Sequence, residues 1–386
     1  MVIGVPSSTA TGERRVALTP HVIPTLSQTG FKVLVEAGSG QSAGILDRAY
    51  EEKGARIVRS RSELFAEASV ILQIHALGAS PSFREGELPY FRRDQVVVGL
   101  MNPLGAPEAV QEAGARGITA FALELLPRIT RAQQMDVLSS MATVAGYKAV
   151  LLAAETLPKL FPLLMTAAGT VSASHVLVVG AGVAGLQAIA TAKRLGAVVQ
   201  AYDIRPAVAE QIESLGAKFV RLPLETESAE DKAGYARALS EDLQRRQREL
   251  LARVVAGSDV VITTAMVPGQ KAPVLITEEM VTAMAPGSVI VDIAADHGGN
   301  CTLTRPNEVV VHNGVTILGP VNLAATVPFH ASQMFAKNTT NLLRHLVKDG
   351  QLQIDRKDEI VAETLVTHGG SVVHAKVRER LGLGSV

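Results

Sequence analysis

A single cysteine, Cys301, stands among 386 residues, tryptophan is missing, and aromatic side chains make up only 4% of the chain. One thiol excludes an intramolecular disulfide and any metal site built from a cysteine cluster. It fits a reducing cytosol. Charge imbalance is also absent: 37 basic and 37 acidic residues leave a formal net charge of +0. Nothing global therefore points to nucleic acid or to an anionic membrane surface. The N-terminus, MVIGVPSST, has neither a basic stretch nor a long apolar core, so no signal peptide is expected. No unbroken apolar run of membrane-spanning length occurs either. The richest candidate, 149–168, is interrupted by Glu155, Lys159 and two prolines and reads as a buried helix plus linker. The expectation is a soluble chain.

What is present is ample for a large core. Hydrophobic residues make up 47% and charged residues 19%, a globular balance, and the length suggests two domains of ordinary size. The most informative stretch is 175–205, HVLVVGAGVAGLQAIATAKRLGAVVQAYDIR. A short run rich in valine, the composition of a buried parallel strand, leads into Gly180-Ala181-Gly182-Val183-Ala184-Gly185. A helical segment over 186–195 and a second strand over 197–202 follow, ending at Asp203. Strand, G-x-G-x-x-G turn, helix, strand and acid in this order form a dinucleotide-binding fingerprint. Gly180 permits the tight turn, Gly182 lets the backbone approach a pyrophosphate, and Gly185 lets the helix pack closely. The helix N-terminus aims unpaired N–H groups at the phosphates. Asp203 is placed to accept hydrogen bonds from the adenosine ribose, which favours NAD(H) over NADP(H). The neighbouring Ile204 and Arg205 complete that pocket, and an arginine here can also hold a 2′-phosphate.

Residues before about 138 alternate strand and helix: strands over 2–6, 32–36, 56–58, 69–74, 95–100 and 118–124, with helices over 21–28, 60–68 and 107–116. This implies a parallel sheet wrapped by helices, with no glycine-rich phosphate loop of its own. A long helical pattern over 131–160 crosses into the second domain, whose later strands are 218–222, 259–263, 288–293 and 316–318. A further helix over 328–347 returns the chain, leaving the last 35 or so residues as an appendage. The expected fold is α/β. Two Rossmann-like, doubly wound parallel-sheet domains, 1–138 plus 330–386 and 139–329, are joined by two long helices with a ligand-binding cleft between them. Between Glu225 and Arg253, 13 of 29 residues are charged. Residues 240–255 read as an amphipathic helix, and 225–238 as either a solvated loop or a mobile flap.

Chemistry concentrates in 123–148, LELLPRITRAQQMDVLSSMATVAGYK. Arg128, Gln133, Asp136 and Ser139 lie where a strand ends and the crossing helix begins. Asp136 and Ser139, three apart, share a face if helical. A polar patch for the nicotinamide end of a dinucleotide is one reading. A helix cap (Ser139, Ser140 or Thr130) and a buried Arg128–Asp136 pair between domains are the structural alternatives.

At this point the sequence resembles a family: the NAD(H)-binding component of the proton-translocating nicotinamide nucleotide transhydrogenases. The likeness runs through PSSTATGERRVALTP, PRITRAQQMDVLSS, VLVVGAGVAGLQAIATAKRLGA, YDIRP, AGYARAL, TTAMVPGQKAP and VDIAADHGGN. The resemblance implies that Arg128, Gln133, Asp136 and Ser139 orient the nicotinamide and that Tyr235 closes over the nucleotide from a mobile loop. It also implies that hydride passes directly and stereospecifically between NADH here and NADP⁺ on a partner subunit. Further subunits would then supply the NADP(H) site and the proton path, and the chain would be a homodimer held at the cytoplasmic face of a membrane.

Alanine dehydrogenases share ERRVALTP, VPG-x-KAP and VDIA-x-D-x-GG. That reaction needs a proton donor and a cation to hold the substrate carboxylate; in that family a lysine and a histidine serve. The matching positions here are His75 and Asn102. Asn102 cannot titrate, which favours transhydrogenation over amino-acid oxidation, with a non-catalytic NAD-binding module as a third reading. Arg15 is expected to pair with an acid across the domain interface, or else to bind an anion. Asp296 and His297 lie at a strand end and are expected to stabilise a loop. Met266 and Val267 are expected to pack near the adenine, Ala265 to belong to the cofactor site, Asn322 to lie near the nicotinamide ribose, and Cys301 to be an inert thiol.

Overall fold

The computed structural model describes residues 1–80, 82–221, 241–266, 270–348 and 350–384. The chain divides into two compact units, Met1–Met141 with Ala325–Val386, and Ala142–Ala324.

The first unit is built on an eight-stranded sheet. Its order from one edge is Ser371–Val372, Leu365–His368, Thr119–Ala122, Val96–Leu100, Val70–His75, Val2–Val5, Lys32–Glu36 and Arg56–Val58. The six strands contributed by the N-terminal half pair in parallel. They are apolar on both faces because helices cover both. Val2–Val5 lies centrally between Val70–His75 and Lys32–Glu36, where the winding reverses, so loops at the carboxyl ends of these strands flank a crevice. The C-terminal segment is not an appendage. Leu365–His368 pairs antiparallel with Thr119–Ala122 and extends the sheet, and Ser371–Val372 pairs with it in turn. Val366 and Val372 join the core there. A pairing made across some 240 residues leaves no local mark in the sequence.

The second unit repeats the doubly wound order: Lys218–Phe219, Val198–Tyr202, His175–Val179, Val260–Thr263, Val289–Asp292 and Val315–Leu318, with Val309–His312 antiparallel at the edge. Here too the switch point lies beside the first strand, between His175–Val179 and Val260–Thr263. Val176, Val178, Ile262 and Val291 fill one core of this unit, closed by Ala188, Ile189 and Ala192 from the helix Val183–Arg194.

The helix expected over 131–160 is shorter and broken. Thr130–Met135 forms a separate 3-10 turn, Asp136 is extended (φ −74°, ψ 95°), and the α-helix runs Val137–Thr156. It stops because Pro158 disfavours helical backbone at Leu157. This helix is long and apolar enough to cross a membrane by length and composition, unlike the stretch 149–168 singled out from the sequence. Ala149, Val150 and Ala153 place its apolar surface in the core of the second unit. Beyond it, Leu164–Thr166 and Gly169–Val171 form an exposed hairpin in place of the expected linker.

Candidate functional site

In the second unit, the sequence-derived nucleotide residues lie at the carboxyl edge of one parallel sheet. Gly180 ends the strand His175–Val179 with φ +98°, a left-handed conformation that glycine adopts without strain. A side chain there would also sit 2.7 Å from the Thr264 hydroxyl. Gly185 is needed for a second close approach: a Cβ would lie 1.8 Å from the Gly180 carbonyl oxygen. The helix Val183–Arg194 thus seats on the turn that precedes it, a sharper statement than helix-on-strand packing. Gly182 differs from both. A Cβ on it would meet nothing within 4 Å, and as N-cap of that helix it has no side-chain bond. Open space in front of an uncapped helix N-terminus is what a pyrophosphate requires. Val183, the first helical residue, is exposed beside it.

Asp203 follows the adjacent strand Val198–Tyr202 and is buried. Its Oδ2 accepts the Ala181 N–H at 2.7 Å, which fixes the glycine turn, and also Arg205 Nη2 at 3.0 Å. Its Oδ1 accepts the backbone N–H of Arg205 at 2.9 Å and Arg205 Nε at 3.0 Å. Arg205 therefore bonds both oxygens of the carboxylate expected to meet a ribose. Ile204, between them, is half-buried.

Two residues that the sequence did not single out hold the remaining loops. Asp292 ends its strand fully buried. It accepts N–H groups of Ala294, Asn300 and Cys301 and the Thr304 hydroxyl, at 2.7–3.0 Å. Asn300, also fully buried, brackets one residue: its Oδ1 accepts the Ala265 N–H at 3.0 Å, and its Nδ2 donates to the Ala265 carbonyl at 2.8 Å and to that of Pro273 at 2.8 Å. The only sequence signal was a carboxylate closing the apolar run VIVD. Thr264 ties this loop to the glycine turn through its hydroxyl, 3.0 Å from the Gly180 carbonyl. Met266 is exposed next to Ala265. Asp296 and His297 pair with each other at 2.6 Å at the surface, and that hydrogen bond raises the imidazole pKa. Asn322 takes φ +50° after the strand Val315–Leu318. Cys301 is buried, and burial pushes its thiol up.

In the first unit, Asp136 caps the helix Val137–Thr156 from outside: its Oδ1 accepts the Ser139 N–H at 2.9 Å and its Oδ2 the Ser139 hydroxyl at 2.5 Å. The pair is joined by capping, not by sharing a helical face, and Ser139 is the capped residue, not the cap. Arg128 and Gln133 are exposed on the adjoining segment, while Ala132 and Met135 are buried beneath it.

Arg15 pairs with Glu13, two residues away in the same loop. Nε–Oε1 is 2.8 Å and Nη2–Oε2 2.6 Å, with both side chains buried. Burial works to raise Glu13, but the bonds to Arg15 hold its pKa below the ordinary carboxylate value. His75 ends the strand Val70–His75 with Nδ1 3.4 Å from Glu13 Oε2. Burial pushes its pKa down, with the neighbouring Arg15 adding to the effect against Glu13. Asn102 is exposed at φ +49°, and its N–H donates to Glu124 Oε1 at 2.6 Å. Burial raises Glu124, against the two backbone N–H groups of Met101 and Asn102 that it accepts. Tyr235, the flap over 225–238, and Val267 lie outside the described residues.

Comparison with known proteins matches both halves of the chain. Residues 4–145 match the model described as alanine dehydrogenase/PNT, N-terminal domain, and 149–375 the corresponding C-terminal domain. An NAD(P) transhydrogenase alpha-subunit polypeptide of Rhodospirillum rubrum is 45% identical over 377 residues, covering 97% of this chain and 98% of that one. A solved transhydrogenase structure from Sinorhizobium meliloti superposes with a TM-score of 0.87 at 42% identity, covering 97% of this chain and 100% of that one. The alanine dehydrogenase of Bacillus subtilis is 29% identical over 99% of this chain and 95% of its own.

Proposed function

The chain belongs to the alanine dehydrogenase/PNT family, and from that premise we propose that it is the NAD(H)-binding subunit of a proton-translocating transhydrogenase. In this reading it exchanges hydride directly and stereospecifically with NADP(H) carried by a partner subunit. The comparisons support an NAD(P) transhydrogenase subunit, with oxidoreductase chemistry and a membrane-associated complex. The observation that carries the NAD(H) assignment is the open space at Gly182 before an uncapped helix N-terminus.

Bound NADH supplies the hydride from its nicotinamide C4. The chain's own work is binding and orientation. Gly182 and Val183 receive the pyrophosphate on a turn shaped by Gly180, Ala181 and Gly185, and Asp203 takes the adenosine ribose once Arg205 yields part of its carboxylate. Ala265 and Met266 line the adenine side, and Asn322 the second ribose. Arg128, Gln133, Asp136 and Ser139 orient the nicotinamide, and Tyr235 closes the site against water. No side-chain acid is required, in keeping with an asparagine at position 102 and a burial-depressed His75. The partners are the NADP(H)-binding and membrane-spanning subunits, with this chain peripheral on the cytoplasmic side. A homodimer is favoured by the hairpin Leu164–Val171, where Leu164 and Met165 are 39% and 84% exposed.

The purified chain, mixed with NADH, an NADP⁺ analogue and the NADP(H)-binding subunit, is expected to reduce the analogue, and to be inactive without that subunit. Oxidation of NADH by pyruvate plus ammonia with the chain alone would instead establish an alanine dehydrogenase. Inactivity in every mixture would leave a binding module.

A further inference from the structure

The segment bearing Gln133 is a single 3-10 turn, Thr130–Met135. Such a turn has few internal bonds to fix it, yet an orienting side chain must be held to a fraction of an ångström. The helix Pro328–Leu346 supplies what the turn lacks. Asn338 Nδ2 donates to the Gln134 carbonyl oxygen at 2.8 Å, and Asn341 Nδ2 donates to the same oxygen at 3.0 Å. Three apart, the two asparagines lie on one face of the helix. Together they fill both acceptor positions of one carbonyl.

Asn338 is buried, and its Oδ1 is also buried and without a hydrogen-bond partner. An apolar side chain would avoid leaving that acceptor unpaired. Keeping an amide here makes sense if its donor is needed at Gln134. The turn is held a second time on its other flank. Arg131 Nη1 lies 2.7 Å from Asp358, which also receives His345 Nε2, from the same helix, at 3.3 Å. Ala132 and Met135 are buried below. Gln133 is thus flanked by two anchored neighbours while its own side chain stays exposed.

We propose that Asn338 and Asn341 are positioning residues for hydride transfer: by clamping the Gln134 carbonyl they set the backbone from which Gln133 reaches the nicotinamide. The inference rests on the role given to Gln133 above. Asn338→Ala and Asn341→Ala should each slow hydride transfer in the complex reconstituted with the NADP(H)-binding subunit. The expected loss is about 10–100-fold, the scale for an orienting group displaced by about an ångström. The dissociation constant for NADH should change less than about twofold. In a Gln133→Ala background the same substitutions should add little further loss, because the clamp acts through that side chain. Asn341→Gln, which keeps a donor, should recover part of the rate.

A purely structural role predicts a lower unfolding midpoint with additive rate effects. Additivity, or an NADH affinity that falls in step with the rate, overturns the proposal. Asn341 is only half-buried, so its variants keep the test open if Asn338→Ala does not fold. A slowed Gln133→Ala beside unaffected Asn338→Ala and Asn341→Ala would overturn the clamp alone. A Gln133→Ala chain at the native rate would overturn the site assignment and the clamp with it.

Discussion

Asp203 shows how one side chain serves two neighbours. Its carboxylate fixes the glycine turn through Ala181 N–H and holds Arg205 through three bonds. Hydrogen bonds to a charged group contribute about 1.5–3 kcal/mol. Asp203→Ala should therefore weaken NADH binding by roughly 10–100-fold and narrow the preference for NADH over NADPH, as measured by titration with each nucleotide. The freed Arg205 would then be available to a 2′-phosphate. An unchanged ratio would contradict the ribose assignment. The acid and the three glycines were legible in the sequence because each answers a local demand: a positive φ, a close approach or an open face. Asp292 and Asn300 were not, since their partners Ala265, Pro273 and Thr304 come from different loops. The pairing of Arg15 with Glu13, two residues away, is local, yet it was not read from the sequence.

Among the elements, the helix Val137–Thr156 packs against a neighbouring helix through a glycine. A Cβ on its Gly146 would lie 2.0 Å from the Ala184 carbonyl oxygen, so this helix approaches the one that follows the glycine turn at backbone distance. Gly146→Ala should cost about 1–3 kcal/mol through overpacking and weaken NADH binding as the Val183–Arg194 helix shifts. Urea unfolding and nucleotide titration check the two effects separately. Stability unaffected by this substitution would show that the packing tolerates a shift.

Asp358 ties the Thr130–Met135 turn to the helix Glu359–Thr364, whose N-terminus it caps through Ile360 and Val361 N–H. Burial works to raise its pKa, but the bonds from Arg131, His345 and those backbone groups hold it at about 2, against an ordinary 3.8. A carboxylate depressed on folding stabilises above its unfolded pKa and loses that contribution as pH falls through the folded value. The stability gap between the native chain and Asp358→Asn should be constant above about pH 4–5 and close between there and about pH 2. A gap independent of pH would contradict this reading. The periodic helices and β-branched strands were legible, but the break at Asp136 was not. Its apolar neighbours continue a helical spacing, and only the capping bond to Ser139 marks where the helix starts.

For the whole molecule, the pattern of alternating strands and helices announced two doubly wound sheets, because short continuous apolar runs and the 3.6-residue period are both local signals. The strand Leu365–His368 escaped because its antiparallel pairing with Thr119–Ala122 depends on a distant partner, whereas Val309–His312 pairs with Val315–Leu318 across the two-residue Asn313-Gly314 turn, a local signal that the reading by apolar runs passed over. Among the described residues the glycine cradle belongs to the second unit's sheet, in keeping with the proposal that a partner subunit carries the second dinucleotide. The most direct measurement is isotopic. NADH deuterated at the transferring C4 position is mixed with this chain, NADP⁺ and the NADP(H)-binding subunit in ordinary water, and the NADPH is examined by mass spectrometry. Direct transfer predicts deuterium in the NADPH without loss to solvent. Unlabelled NADPH would contradict it.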